Sequence, residues 1–63
     1  MFTFKLQHPD GTPADPPTLV SGVPNWGPGD VMTFAPGKQF RVLETLDPED
    51  PELNGVLVVE KPN

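Results

Sequence analysis

Ten prolines and six glycines interrupt these 63 residues, and they gather in clusters between apolar segments. Spread evenly, such a content would point to disorder. Clustered, it acts as punctuation, because Pro fixes φ and removes an amide donor while Gly admits the positive φ that tight turns need. No stretch carries apolar residues at helical spacing over about ten positions, so no helix longer than a turn or two is expected. The segments between the breaks have the length and the pattern of strands.

Phe2, Phe4 and Leu6 alternate with Thr3, Lys5 and Gln7, the period-two signature of a strand with one buried face. Pro9-Asp10-Gly11 ends it in a tight turn, with Pro presetting φ, Asp bonding its own backbone and Gly taking positive φ. Pro13, Pro16 and Pro17 then remove amide donors. Residues 12–17 are therefore expected as an extended connection outside any central ladder. Pairing is expected to resume at Thr18, in the short edge strand Thr18-Leu19-Val20-Ser21. The cluster Asn25-Trp26-Gly27-Pro28-Gly29-Asp30 turns the chain into Val31-Met32-Thr33-Phe34.

Ala35-Pro36-Gly37-Lys38 reverses the chain into the segment Gln39 to Leu46. A two-residue Pro-Gly loop splays the strands it joins. A three-residue loop is expected instead, with Phe34 opposite Phe40 and Met32 opposite Val42 on one apolar face. The run Asp47-Pro48-Glu49-Asp50-Pro51-Glu52 opposes both pairing and burial and reads as a solvated loop. Asn54-Gly55 signals the return into Val56-Leu57-Val58-Val59-Glu60, which is apolar on both faces as a central strand is. Placing Thr45 opposite Val56 sets Leu43 against Val58 and Arg41 against Glu60.

The chain reads as one all-β domain over residues 1–63. Its five or so short strands are too few for two full sheets and should curl into a small, partly open barrel around one core. Gly29-Asp30, Phe40-Arg41-Val42-Leu43 and Leu57-Val58-Val59-Glu60 resemble the later hairpins of small SH3-like barrels, over about half the chain. In general character the sequence also resembles short uncharacterised bacterial and phage proteins. The resemblance implies an SH3-like barrel and brings no functional motif with it.

Without cysteine, neither a disulfide nor a thiolate zinc site can form, so core packing, alone or with self-association, must supply a stability margin of a few kcal/mol. The same composition suits a reducing cytoplasm, which is the expected location. The opening Met1 to Gln7 lacks the apolar region of a signal peptide, and no stretch nears the ~20 apolar residues of a membrane span, so no membrane partner is expected. Nine acidic residues against four basic ones give a formal charge of −5. That charge repels phosphate backbones and anionic lipid and argues against direct nucleic-acid binding.

Acid–base chemistry at neutral pH most often uses histidine, and His8 is the only one. A hydrolase would need Ser21 as nucleophile with His8 as base and Asp10 or Asp30 orienting it, yet no nucleophile elbow surrounds Ser21. A lone histidine in a turn is ordinarily a solvated group. No catalytic residue is assigned, and an enzyme is not expected. Asp47, Glu49, Asp50 and Glu52 invite a calcium reading, but the alternating Asp/Asn positions and central Gly of a calcium loop are missing and Pro48 and Pro51 stiffen the backbone. No metal or cofactor is expected. The run reads as a solvated, self-repelling loop or as a surface that steers a basic partner.

Trp26, among Asn25, Gly27, Pro28 and Gly29, either caps the open end of the barrel as core or stands as a binding contact. Arg41 points away from the face that Phe40 and Val42 bury, to pair with Glu60 or to meet an anion. The candidate binding residues are thus Trp26, Arg41, Asp47, Glu49, Asp50 and Glu52. Two functional readings follow. One is a small protein-interaction module working through Trp26 with the proline-rich segment, or through the acidic loop. The other is a self-assembling subunit whose outward Leu57 and Val59 are covered by its own copies. The segment His8 to Pro17 also offers Pro13 and Pro16 at Pro-x-x-Pro spacing, without the flanking basic residue such ligands carry.

Overall fold

The computed structural model describes residues 1–35 and 37–62, Ala35 by its backbone only. The turn-forming role expected of Pro36 lies outside the described residues. Five strands, β1 (Phe2–Gln7), β2 (Pro13–Ser21), β3 (Val31–Ala35), β4 (Lys38–Leu46) and β5 (Gly55–Glu60), form one sheet in the order β2-β1-β5-β4-β3. No helix occurs among the described residues. The sheet curls into a half-barrel, so the fold is all-β and partly open. Three of its ladders are antiparallel, while β1 and β5 run parallel. The last strand in chain order is therefore the central one.

The alternation of β1 dictates the rest. Phe4 and Leu6 turn to the concave face, where they meet Leu57 and Val59 of β5, Phe40 and Val42 of β4, Met32 of β3 and Ala14 of β2 in one core. This corrects the outward placement of Leu57 and Val59: both are buried in that core, at 1% and 0% exposure. Pairing of Leu6 with Leu57 fixes the choice, because neighbours across a ladder share a face. Val56 and Val58 take the convex side. They are buried there too, flanked in the ladder by Lys5, Gln7, Glu44 and Leu46, side chains long enough to shelter them.

Two bulges revise the expected registers. In the β3–β4 hairpin Ala35 pairs with Lys38 and Thr33 with Gln39, which leaves Phe34 as the extra residue. Met32 then faces Phe40 in place of Val42. Phe34 still reaches Phe40, edge to face, with ring centroids 5.7 Å apart. The tight closure at Ala35 and Lys38 is relieved by the local twist that a bulge adds. In the second hairpin Arg41 does pair with Glu60, but Leu43 is the extra residue, so Glu44 faces Val58 and Thr45 faces Leu57, not Val56. An unbroken ladder would have turned Glu44 inward behind Phe40 and Val42, and burying an unpaired carboxylate is costly. The bulge at Leu43 keeps Glu44 in water.

β2 is an edge strand, and it starts earlier than the prolines suggest. Thr18 to Ser21 pair with Lys5 to Phe2, as the sequence implies, but the strand already begins at Pro13, opposite Gln7, with a register shift between. Extended backbone on an outer edge needs few donors, which is why Pro13, Pro16 and Pro17 are tolerated there. The Asp15-Pro16 peptide bond is cis. From Ser21 the chain must reach β3 at the opposite edge. It crosses the concave side, packing Trp26 against the core on the way.

Candidate functional site

The crossing loop is fastened where it enters β3 by the polar groups of Gly27 to Asp30. Gly27 donates its amide to Asp30 Oδ2 at 2.8 Å, and Asp30 donates its amide back to the Gly27 carbonyl at 3.1 Å. Gly29, with φ +94°, turns its amide to the Val42 carbonyl at 2.9 Å, and the Val42 amide donates to the Asp30 carbonyl at 2.8 Å. Only a residue without Cβ takes that φ cheaply. The loop thereby extends the β3–β4 ladder and holds Trp26 in one place. On the other side of the same end, Asn54 accepts the Thr3 amide on its Oδ1 at 3.0 Å and donates its own amide to the Thr3 carbonyl at 2.7 Å. That exchange positions the loop from Asp47 to Asn54 against β1.

Between these two loops lies a groove of about 560 Å³. Phe4, Trp26 and Leu57 supply its apolar surface, while Asp30, Thr45 and Asp47 bring polar groups to it. The Leu43 bulge is what turns Thr45 toward Leu57 and into this wall. Trp26 is half-buried, so it is both a plug on the core and a face of the groove. Its Nε1–H is enclosed without an acceptor, the one buried side-chain polar atom so placed among the described residues. Leaving a buried donor unpaired costs about 1–3 kcal/mol.

The candidate residues divide sharply by position. Trp26 and Asp47 come together in the groove. Glu49, Asp50 and Glu52 lie exposed on the adjoining loop, where Asp50 Oδ1 accepts the Glu52 amide at 2.9 Å and the Asp50 carbonyl accepts the Leu53 amide at 2.9 Å. Asp50 thus shapes its own turn. Arg41 stands apart, on the convex face, with Nη1 3.5 Å from Glu60 Oε2 and both side chains nearly half exposed. Such a pair is worth about 0–1 kcal/mol, enough to favour a register and little more.

Electrostatics separate this end from the rest of the molecule. Asp30, Asp47, Glu49, Asp50 and Glu52, five of the nine carboxylates, sit on the two loops that frame the groove, and none of the four Lys and Arg residues does. The other four carboxylates balance the four Lys and Arg side chains elsewhere. The groove end therefore carries a charge equal to the whole −5 of the chain.

Ser21 and His8 occupy opposite ends of β1. Ser21 pairs with Phe2, whereas His8 follows Gln7, and six residues of strand span roughly 20 Å. Ser21 Oγ instead accepts the Val23 amide at 3.0 Å. These two residues are too far apart to act on one substrate atom. At the His8 turn, the Thr12 hydroxyl and amide both donate to Asp10 Oδ1, at 2.6 and 2.9 Å, and hold the Asp10 carboxyl below the ordinary aspartate value. No group of three or more His, Cys, Asp or Glu residues is arranged to hold a metal among the described residues. Among the described residues no helix is long and apolar enough to cross a membrane. No known family model, curated protein or solved structure matches this chain.

Proposed function

We propose that the protein is a small interaction module that docks a basic, partly apolar segment of a protein partner in the groove between the Trp26 loop and the Asp47 loop. The observation that carries this reading is the coincidence of the single tryptophan with the entire net charge of the chain. An indole supplies rigid apolar area and a face for cations, and the surrounding carboxylates speed the approach of a basic partner. The absence of cysteine fits work in a reducing cytoplasm. Self-assembly loses its main support, since the Leu57 and Val59 side chains on which it rested line the core.

Trp26 reports on its own groove. Titration with a synthetic lysine-leucine peptide, followed by indole emission, should give a saturable change whose midpoint rises with salt. Asp47→Asn should weaken binding by roughly two- to fivefold at low salt. A response that ignores salt, or no response at all, overturns the proposal.

A further inference from the structure

The other end of the concave trough is built differently. Phe4 and Leu6 on β1 are followed in the same alternation by His8. Leu57 and Val59 on β5 are followed by Lys61, and on β4 Phe40 and Val42 are preceded by Lys38. Because side chains two apart on a strand share a face, each of the three central strands ends its inward row in a cationic or basic side chain at the same mouth. β2 closes over that mouth from the far edge, with Ala14 in the core and Asp15 Oδ2 3.5 Å from Lys38 Nζ. The half-barrel does not seal there. It leaves a pocket of about 420 Å³ lined by His8, Lys38 and Lys61 together with Asp15, Phe40 and Pro62.

Two of the four Lys and Arg residues and the only histidine therefore converge on one concavity of a chain with net charge −5. Their donors are largely unspent. Lys61 pairs with no carboxylate among the described residues, and the His8 imidazole makes no hydrogen bond among them either. The His8 backbone is fully used, its amide donating to the Thr12 carbonyl at 2.8 Å and its carbonyl accepting the Gly11 amide at 2.9 Å, so the ring is held at the rim. The Lys38–Asp15 contact is long and solvent-exposed, at 50% and 91% side-chain exposure, and an incoming anion can displace it at little cost.

We infer that this seam pocket binds a small organic anion, a carboxylate or phosphate ester whose apolar body fills the pocket beside Pro62 and the edge of Phe40 while Lys38, Lys61 and His8 take the charged head. Its volume falls in the range of small-molecule sites. The five carboxylates of the groove end do not oppose this, because their loops lie about 20 Å away along the strands, beyond the ~10 Å over which charges act through water at 0.1 M salt. The nearby carboxylates are Asp15, which contacts Lys38, and Asp10, whose Oδ1 accepts from Thr12. The site is independent of the Trp26 groove.

The test is a titration of the isotope-labelled chain with benzoate, phenyl phosphate and neutral benzamide, read from amide NMR shifts. Benzoate or phenyl phosphate should move Gln39, Phe40 and Lys61 with a dissociation constant in the millimolar range or below and leave Trp26 unmoved, and the tighter of the two identifies the head group. Benzamide should move none of them. Lys38→Gln and Lys61→Gln, both at exposed positions, should each weaken binding about three- to tenfold with the rest of the spectrum unchanged. Equal shifts with benzamide, no shifts with either anion, or unaltered affinity in both variants overturns the inference.

Discussion

The two mouths of the trough share a floor and differ in their rims. Phe4 and Leu57 floor the groove, and Phe40 floors the seam pocket, all three being members of one core. The groove rim is made by long loops that carry five carboxylates and are tied to the sheet by backbone exchange at Thr3, Val42 and Asn54. The seam rim consists of strand ends carrying basic side chains and one exposed ion pair. A single figure for net charge hides this. Ends separated by two screening lengths differ in local charge, one strongly acidic and the other balanced, with Lys38 and Lys61 beside Asp10 and Asp15, and each selects its own kind of partner.

Cutting into the shared floor should have the largest effect. Leu57→Ala and Phe40→Ala should each cost about 2–5 kcal/mol, which in a domain of this size leaves little folded chain, as circular dichroism with urea would register. If one costs far less than the other, the two mouths do not rest on a common core. The rims should separate more gently. Asn54→Ala removes the acceptor of the Thr3 amide and should cost about 1 kcal/mol. Lys38→Ala, which breaks only the exposed contact with Asp15, should stay under about 0.5 kcal/mol and leave Trp26 emission unchanged. Reversal of that order would mean that the seam, not the groove, is the fastened end. The smallest effect is expected at Asp10. Its folded-state pKa lies below the ordinary 3.8, so its stabilising contribution is complete above that value and disappears as pH falls through the lower folded one. An NMR titration should place its midpoint below 3.8, and Thr12→Val should move it back toward that value.

Strand positions were legible where period and burial agree. The alternation of Phe2, Phe4 and Leu6 locates β1, and the doubly apolar Val56 to Val59 marks the centre of the sheet. That same double apolarity conceals which face is inward. Only the parallel pairing of Leu6 with Leu57 decides it, and pairing between the first and last strands leaves no local mark in sequence. Bulges are illegible for a related reason. Phe34 and Leu43 look like ordinary members of an alternating run, and the cue at Leu43 was Glu44, a carboxylate that an unbroken ladder would have buried. Of the candidate site, Trp26 and Asp47 stood out as residue types, but that they share a groove depends on two loops far apart in the chain. The seam pocket leaves no local mark in sequence, because His8, Lys38 and Lys61 acquire meaning only as the ends of three rows of core side chains. Extending the inward rows of Phe4 and Leu6 and of Phe40 and Val42 by one step reaches His8 and Lys38, whereas Lys61 follows only once Leu57 and Val59 are known to face inward.

β5 holds the sheet together in a sense that reaches beyond packing. The β1–β2 and β3–β4 hairpins share no ladder with each other, and each is joined to the sheet only through the segment Gly55–Glu60. Until that segment arrives, the chain is two hairpins of a kind that is barely stable alone in water. Assembly therefore waits for contacts between residues some fifty positions apart, a topology associated with slow, all-or-none folding. On a ribosome the two hairpins would emerge first and remain unjoined, and both binding mouths would come into being together, in the single step that inserts the last strand.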